Sequence, residues 1–335
     1  MLLKTLQAAA KDNVGLLLVI ASEALYTMIG AAAKVLTTES NLSMFEVLLV
    51  EMIIIYFCSV AHMYYAKIQD PIFGPPGVRL LLFCRGFMGS IAASGIYYSL
   101  QHLPLSDAAA LTFLVPLCTA IAGSILLKEK FTRGEALAGI VSLLGVLLIS
   151  RPSFIFDHGG ANKSLASEAQ RLIAVGVAMI GVLGAAGAFI CIRAVGKRAH
   201  PLHNVAYLSF LSTVQSAIAA IIMRIPIVLP ARPLFLSILV MNGIFGFLAQ
   251  TLMTMGYQLE TAGRASMGIY VKIIFALILD RVLFGTVPGL LSILGTTLIL
   301  GPGIYAALAK MKEGGRVRLD EDARQGAEEG LYEGG

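Results

Sequence analysis

Apolar residues along the chain come in long unbroken runs, and polar residues are confined to short stretches between them. A helix needs roughly 20 apolar residues to cross ~30 Å of hydrocarbon. Ten windows approach that length: 14–36, 44–65, 80–101, 104–127, 133–150, 172–193, 204–224, 234–257, 262–283 and 287–309. The runs lack the period-two alternation of a transmembrane β-barrel, and Gly and Pro punctuate them as in helices packed against one another in lipid. The pattern predicts an all-α integral membrane protein with ten transmembrane helices. The first 13 residues are short and mixed and the run after them is already of spanning length, so the first helix is expected to act as its own insertion signal rather than as a cleaved leader.

Composition agrees with the pattern. Of 335 residues, 57% are hydrophobic and 13% charged, with a mean hydropathy of +0.83, against about 25% charged in soluble domains. The net charge of +5 reads as orientation rather than as affinity for nucleic acid: most Lys and Arg residues fall on the side that holds both termini when the N-terminus is cytoplasmic. The sequons at Asn41 and Asn162 both fall in loops on the opposite side, which makes them candidate glycosylation sites. Cys58, Cys84, Cys118 and Cys191 all lie inside predicted helices and read as small packing residues, not as a metal site.

An ungapped overlay of the second half on the first places Leu103 on Leu259, Ala109 on Ala265, Val115 on Val271, Leu127 on Leu283, Gly139 on Gly295 and Gly145 on Gly301. Five helices per half force the halves into opposite orientations, the arrangement of many secondary transporters. The chain then divides into a cytoplasmic N-terminus (1–13), a first repeat (14–150), an extracytoplasmic linker (151–171), a second repeat (172–309) and a cytoplasmic tail (310–335). That tail lacks apolar periodicity and is expected to be disordered.

Residues 85–152 carry Arg85-Gly86, Gly89-Ser90, Tyr97-Tyr98, Asp107-Ala108, Pro116, Glu129-Lys130, Gly139, Gly145 and Arg151-Pro152. This stretch resembles the EamA module of the drug/metabolite transporter superfamily, closest to the solute carrier 35 G-type branch. The second half resembles the second module in Gln250, the run Glu260 to Gly263, Phe284-Gly285, Pro288, Gly295 and Gly301. The resemblance implies ten helices in two inverted five-helix EamA repeats and alternating access around a central cavity. It leaves the substrate open. Two positions depart from the pattern: Glu51 stands where many members carry a basic residue, and Lys272 falls on Pro116 in the overlay.

Four charges, Glu23, Glu51, Arg85 and Lys272, lie too deep to reach an interface, and an intramembrane charge is a functional candidate by default. Glu23, Thr27, Gly30 and Lys34 share one helix face, as do Arg85, Gly89 and Ala92, and Gly268, Lys272, Ala276 and Asp280. Small residues beside each charge are expected where helices meet or line a wet cavity. Lys272 either faces a substrate cavity or locks onto Glu23 or Glu51. Arg85 either serves the site or pairs with a neighbouring acid or a helix C-terminus and fixes packing, and Glu51 is a candidate for the acid. Tyr97, Tyr98, Thr112, Asn242, Gln250 and Tyr270 are candidate hydrogen-bonding residues for the site. Glu129-Lys130 falls in a tight turn, where gating or turn stabilisation is expected.

These features predict a secondary-active carrier of a small polar, anionic metabolite, with a proton or an exchanged counter-substrate as coupling partner and a homodimer as a candidate assembly. The alternatives are an exporter of amphiphilic or cationic compounds and a non-transporting scaffold. No cofactor is expected. The five histidines sit in or near loops and no H-E-x-x-H or G-x-S-x-G motif occurs, which argues against an enzyme. The plasma membrane or a secretory-pathway membrane is the expected location.

Overall fold

The computed structural model describes residues 13–39, 42–103, 110–129, 132–150, 165–222, 224, 232–284, 290–291 and 293–301. Asn41, Asn162, the N-terminal stretch up to residue 12 and the tail all lie outside the described residues. Among those described, all regular structure is helical. In chain order the helices are α1 (Val14–Glu39), α2 (Met44–Tyr65), α3 (Arg79–His102), α4 (Val115–Leu126), α5 (Arg133–Ser150), α6 (Leu165–Val195), α7 (Pro201–Ile222), α8 (Pro233–Leu259), α9 (Ala262–Met267) and α10 (Lys272–Phe284). A further helical stretch covers 293–301.

Local chemistry starts these helices where the chain emerges from a loop. Ser43 and Glu46 form a reciprocal capping box at the head of α2: the Glu46 N–H donates to Ser43 Oγ at 3.2 Å and the Ser43 N–H to the Glu46 carboxylate at 2.6 Å. Pro233 opens α8 at a position where its missing N–H would be unpaired anyway. α6 starts at Leu165, inside the stretch expected to be linker. Its first turns, Leu-Ala-Ser-Glu-Ala-Gln-Arg-Leu, are mostly good helix formers and extend the spanning run.

Seven of the expected spans are delimited in full. Among the described residues, seven helical stretches are long and apolar enough to cross a membrane: Val14–Thr37, Glu46–Tyr65, Arg79–Ile96, Leu172–Arg198, Pro201–Ile222, Pro233–Leu259 and Ala262–Leu279. Ala110–Leu126 and Ala136–Ile149, in the fourth and fifth windows, are shorter apolar helices, and the tenth window is only partly described. Large side chains such as Leu80, Ile125, Leu172, Ile221 and Val282 are exposed on the outside of the bundle, the reverse of a soluble surface.

Two runs expected to be continuous are irregular in the middle. Residues 110–112 are helical, a turn follows at Phe113-Leu114, and α4 begins at Val115. Pro116 lacks the N–H that would bond back to the Thr112 carbonyl. In the second half, α9 passes through a 3₁₀ turn, Gly268–Val271, before α10 begins at Lys272. A glycine and the β-branched Ile269 and Val271 weaken the α form there. The overlay of the halves places Phe113 on Ile269 and Leu114 on Tyr270, so the two irregularities occupy matching positions. Ser266 of α9 donates its hydroxyl to the Pro116 carbonyl at 3.1 Å and ties the two together.

Helix packing also exchanges between the halves. α3 packs along α6 and α8 along α1, while α7 packs on α3 and α2 on α8. Glycines allow the closest crossings: a Cβ on Gly95 would lie 2.6 Å from the Gly181 Cα, one on Gly256 2.7 Å from the Gly15 carbonyl, and one on Gly145 2.6 Å from the Gly295 carbonyl. These neighbours are backbone atoms that cannot swing aside. Gly95→Val is therefore expected to push α3 off α6 at a cost of about 1–3 kcal/mol, seen as a lower thermal midpoint of the purified protein. An unchanged midpoint would mean that the crossing is slack.

Candidate functional site

A cavity of about 390 Å³ sits where α1, α3, α6 and α8 meet the two irregular helices. Its polar lining is Glu23 and Tyr26 from α1, Arg85 from α3, Thr112 before α4, Gln250 from α8 and Lys272 at the start of α10. Ile96, Phe113, Phe189, Met253 and Ile269 supply apolar wall. Both irregular segments contribute: Thr112, Phe113 and Val115 on one side, Ile269 and Lys272 on the other.

Arg85 is 3% exposed. It lies against Gly89, where any Cβ would come within 2.5 Å of Nη1, so the glycine one turn on is what leaves room for the guanidinium. Its one hydrogen bond among the described residues runs from Nη2 to Gln250 Oε1 at a long 3.5 Å, and Nε is buried without a partner. Among the described residues no acid lies within the 4.0 Å of an ion pair. The reading of Arg85 as half of a buried ion pair with Glu51 does not hold.

Glu51 sits elsewhere. Its carboxylate accepts a hydrogen bond from Asn242 Nδ2 at 3.2 Å across α2 and α8, both residues are buried, and neither lines the cavity. Gly246 makes room for this pair, since a Cβ there would lie 2.9 Å from Glu51 Oε1. Lys272 is not locked to an acid either. Its Nζ stands 5.8 Å from the centre of the Tyr26 ring, a cation–π distance. Glu23 is within electrostatic reach, but the two make no ion pair within 4.0 Å.

Of the other sequence candidates, Thr112 and Gln250 line the cavity. Tyr270 points away from it into a core cluster with Val146, Ile273 and Ile299, and stacks on Phe113 at 6.2 Å. Tyr98 stacks on His102 at 4.3 Å and packs beside Leu103 and Ala174. The Tyr97 side chain lies outside the described residues. Sequence reasoning passed over Tyr26 and Phe189. Tyr26 is three residues from Glu23, one step off the polar stripe, which is the signal that would have found it.

Paired mid-span irregularities beside a charged cavity are a feature of the substrate sites of secondary transporters. The EamA-like transporter family matches this chain twice, over residues 13–151 and again over 172–306. The chain belongs to this family. A relative in Saccharomyces cerevisiae named as a probable transport protein is 35% identical over 326 residues, covering 90% of this chain and 91% of its own. The human solute carrier family 35 member G1 is 32% identical over 240 residues, 71% of this chain and 64% of its own. A pseudopaline exporter of Pseudomonas aeruginosa is 28% identical over 238 residues, 71% of this chain and 77% of its own. One solved crystal structure superposes with a TM-score of 0.71 at 16% identity, covering 89% of this chain and 99% of that one, a likeness of fold alone. EamA membership makes the protein a multi-pass membrane transporter, and the family and relatives' names are those of transporters rather than enzymes.

Proposed function

We propose that this EamA transporter is a secondary-active carrier that moves a small anionic metabolite by alternating access, with ten spans arranged as two inverted repeats and both termini cytoplasmic. The observation that carries the reading is the charge balance of the cavity. Two cations, Arg85 and Lys272, face it against one carboxylate, Glu23, and among the described residues neither cation is neutralised by an ion pair. Opposite charges 4 Å apart attract by about 4 kcal/mol at the effective dielectric of a protein edge, so an anion entering the cavity gains what the empty site lacks. The matching irregularities of the two halves and their exchanged packing support the inverted repeat and alternating access. In this reading Glu23, which lines the cavity, takes up a proton as the anion binds. The aromatic wall of Tyr26, Phe113 and Phe189 favours a second reading, an amphiphilic substrate whose apolar body lies on these rings.

The test is a thermal-stabilisation screen of the detergent-purified protein against anionic, zwitterionic and cationic metabolites, run beside Lys272→Gln. An anion is expected to raise the midpoint of the wild type, and the variant is expected to bind it about ten- to a hundredfold more weakly, as loss of a charge-assisted contact implies. Stabilisation by cations only, or equal anion binding by both proteins, sinks the anion reading.

A further inference from the structure

At one end of the bundle, below the cavity, a second polar cluster joins helices of both halves. Lys128 takes a left-handed backbone (φ 55°) just past α4 and turns Glu129 back beneath the helix, where its N–H donates to the Gly123 carbonyl at 3.3 Å. Both carboxylate oxygens are then used. Oε1 accepts from Arg193 Nε of α6 at 2.6 Å, and Oε2 accepts from the Ala262 N–H, the first residue of α9, at 2.8 Å. Arg193 also donates through Nη1 to the Gln258 carbonyl at 3.3 Å, and the Gln258 side-chain amide donates to the Ala199 carbonyl at 3.2 Å. One carboxylate from the first half thus holds α6 and α9 of the second directly and reaches α8 through Arg193.

The layer between this cluster and the cavity is aromatic. Phe189, one turn before Arg193, lines the cavity and stacks on Tyr257, the neighbour of Gln258, at 4.3 Å with the rings nearly parallel. Tyr257 is fully buried. Above the layer, α4 and α9 each lead into a mid-span irregularity, at Phe113-Leu114 and at Gly268–Val271. A short 3₁₀ segment inside a helix is a common hinge.

We propose that Glu129 is the latch of a gate, shut in this structure, that closes the cavity at the end where Arg193 and Ala262 meet, with the Phe189–Tyr257 stack as the plug above it. The latch rests on the carrier reading, because a gate has a purpose only where a path opens. Opening breaks the contacts of Glu129 with Arg193 and Ala262 together, and the two irregularities let α4 and α9 swing apart. The short 2.6 Å bond from Arg193 and the part-buried setting, with side chains 14% and 28% exposed for Glu129 and Arg193, set this pair apart from a solvated surface contact such as Arg79–Asp70, whose side chains are half exposed.

A cysteine placed at Ala188 reports on the gate, because Ala188 lines the cavity, precedes Phe189 on α6 and is 2% exposed. In full-length protein in sealed vesicles, with Cys58, Cys84, Cys118 and Cys191 replaced by Ser and Ala188→Cys introduced, a membrane-impermeant maleimide is applied to each face in turn. With the latch residues intact, the Ala188→Cys thiol is expected to react slowly from the Glu129 face. Glu129→Gln and Arg193→Gln are each expected to speed labelling from that face by about tenfold, as rupture of a part-buried ion pair implies. The double variant is expected to react no faster than either single one, because the two residues act on one contact. Fast labelling from the Glu129 face with the latch residues intact, no response in either variant, or additive responses would overturn the latch. A labelling response in vesicles that take up no anion would leave the latch standing and remove the anion reading instead.

Discussion

Arg85→Met is expected to abolish transport while leaving the protein as stable as the wild type or more so. In proteoliposomes its initial uptake should fall about a hundredfold or more, because a cation that binds the charge of the substrate supplies roughly 2–5 kcal/mol when it is buried. Its thermal midpoint should hold or rise. The guanidinium is buried against Gly89 with no described acid within ion-pair distance, a long hydrogen bond to Gln250 and an unpartnered Nε. Removing a buried charge that the empty protein does not compensate relieves its desolvation penalty, on the order of several kcal/mol per ion in a protein interior. A packing role predicts the opposite result, a marked fall in midpoint with transport lost only through misfolding. Arg85→Lys separates charge from shape: an ammonium keeps the charge but cannot present a planar fork to a carboxylate or phosphate, so it should restore only part of the uptake.

Residue spacing revealed some of this site and concealed the rest. The stripe Arg85-Gly89-Ala92 marked a face directed inward, and all three residues line the cavity, whereas of Glu23-Thr27-Gly30 only Glu23 lines it and Gly30 is exposed. Periodicity states which way a side chain leaves its helix, however, and not what meets it. Arg85 found Gln250 rather than Glu51, and Glu51 found Asn242, because those choices depend on how α3 and α2 dock on α8 many residues away. The mid-span irregularities were half-visible. Pro116 removes a helix hydrogen bond wherever it stands, but the turn at Gly268–Val271 follows from a mild preference of Gly, Ile and Val that only a crowded crossing converts into a 3₁₀ turn. The early start of α6 is a boundary effect of the same kind, since good helix formers extend a helix past the end of its apolar run.

Glu23→Gln is expected to uncouple the carrier from the proton gradient without emptying its site. Glu23 is 3% exposed, lines the cavity and makes no ion pair or side-chain hydrogen bond to its carboxylate among the described residues. Its ionised form there competes with the substrate for the field of Arg85 and Lys272, whereas its protonated form does not. Lowering the pH on the side from which substrate enters should therefore raise wild-type uptake by favouring the neutral acid, and a proton should travel with each anion. The amide introduced by Glu23→Gln mimics the protonated acid permanently. The variant should bind the anion at least as tightly as the wild type at neutral pH, should exchange labelled for unlabelled substrate across the membrane, and should show a flat pH profile. Its accumulation driven by an imposed pH gradient should fall about tenfold or more, since a side chain that no longer titrates cannot link the two flows. Retained gradient-driven accumulation in Glu23→Gln would move the coupling role to Glu51, whose bond to Asn242 would then have to break and re-form in each cycle.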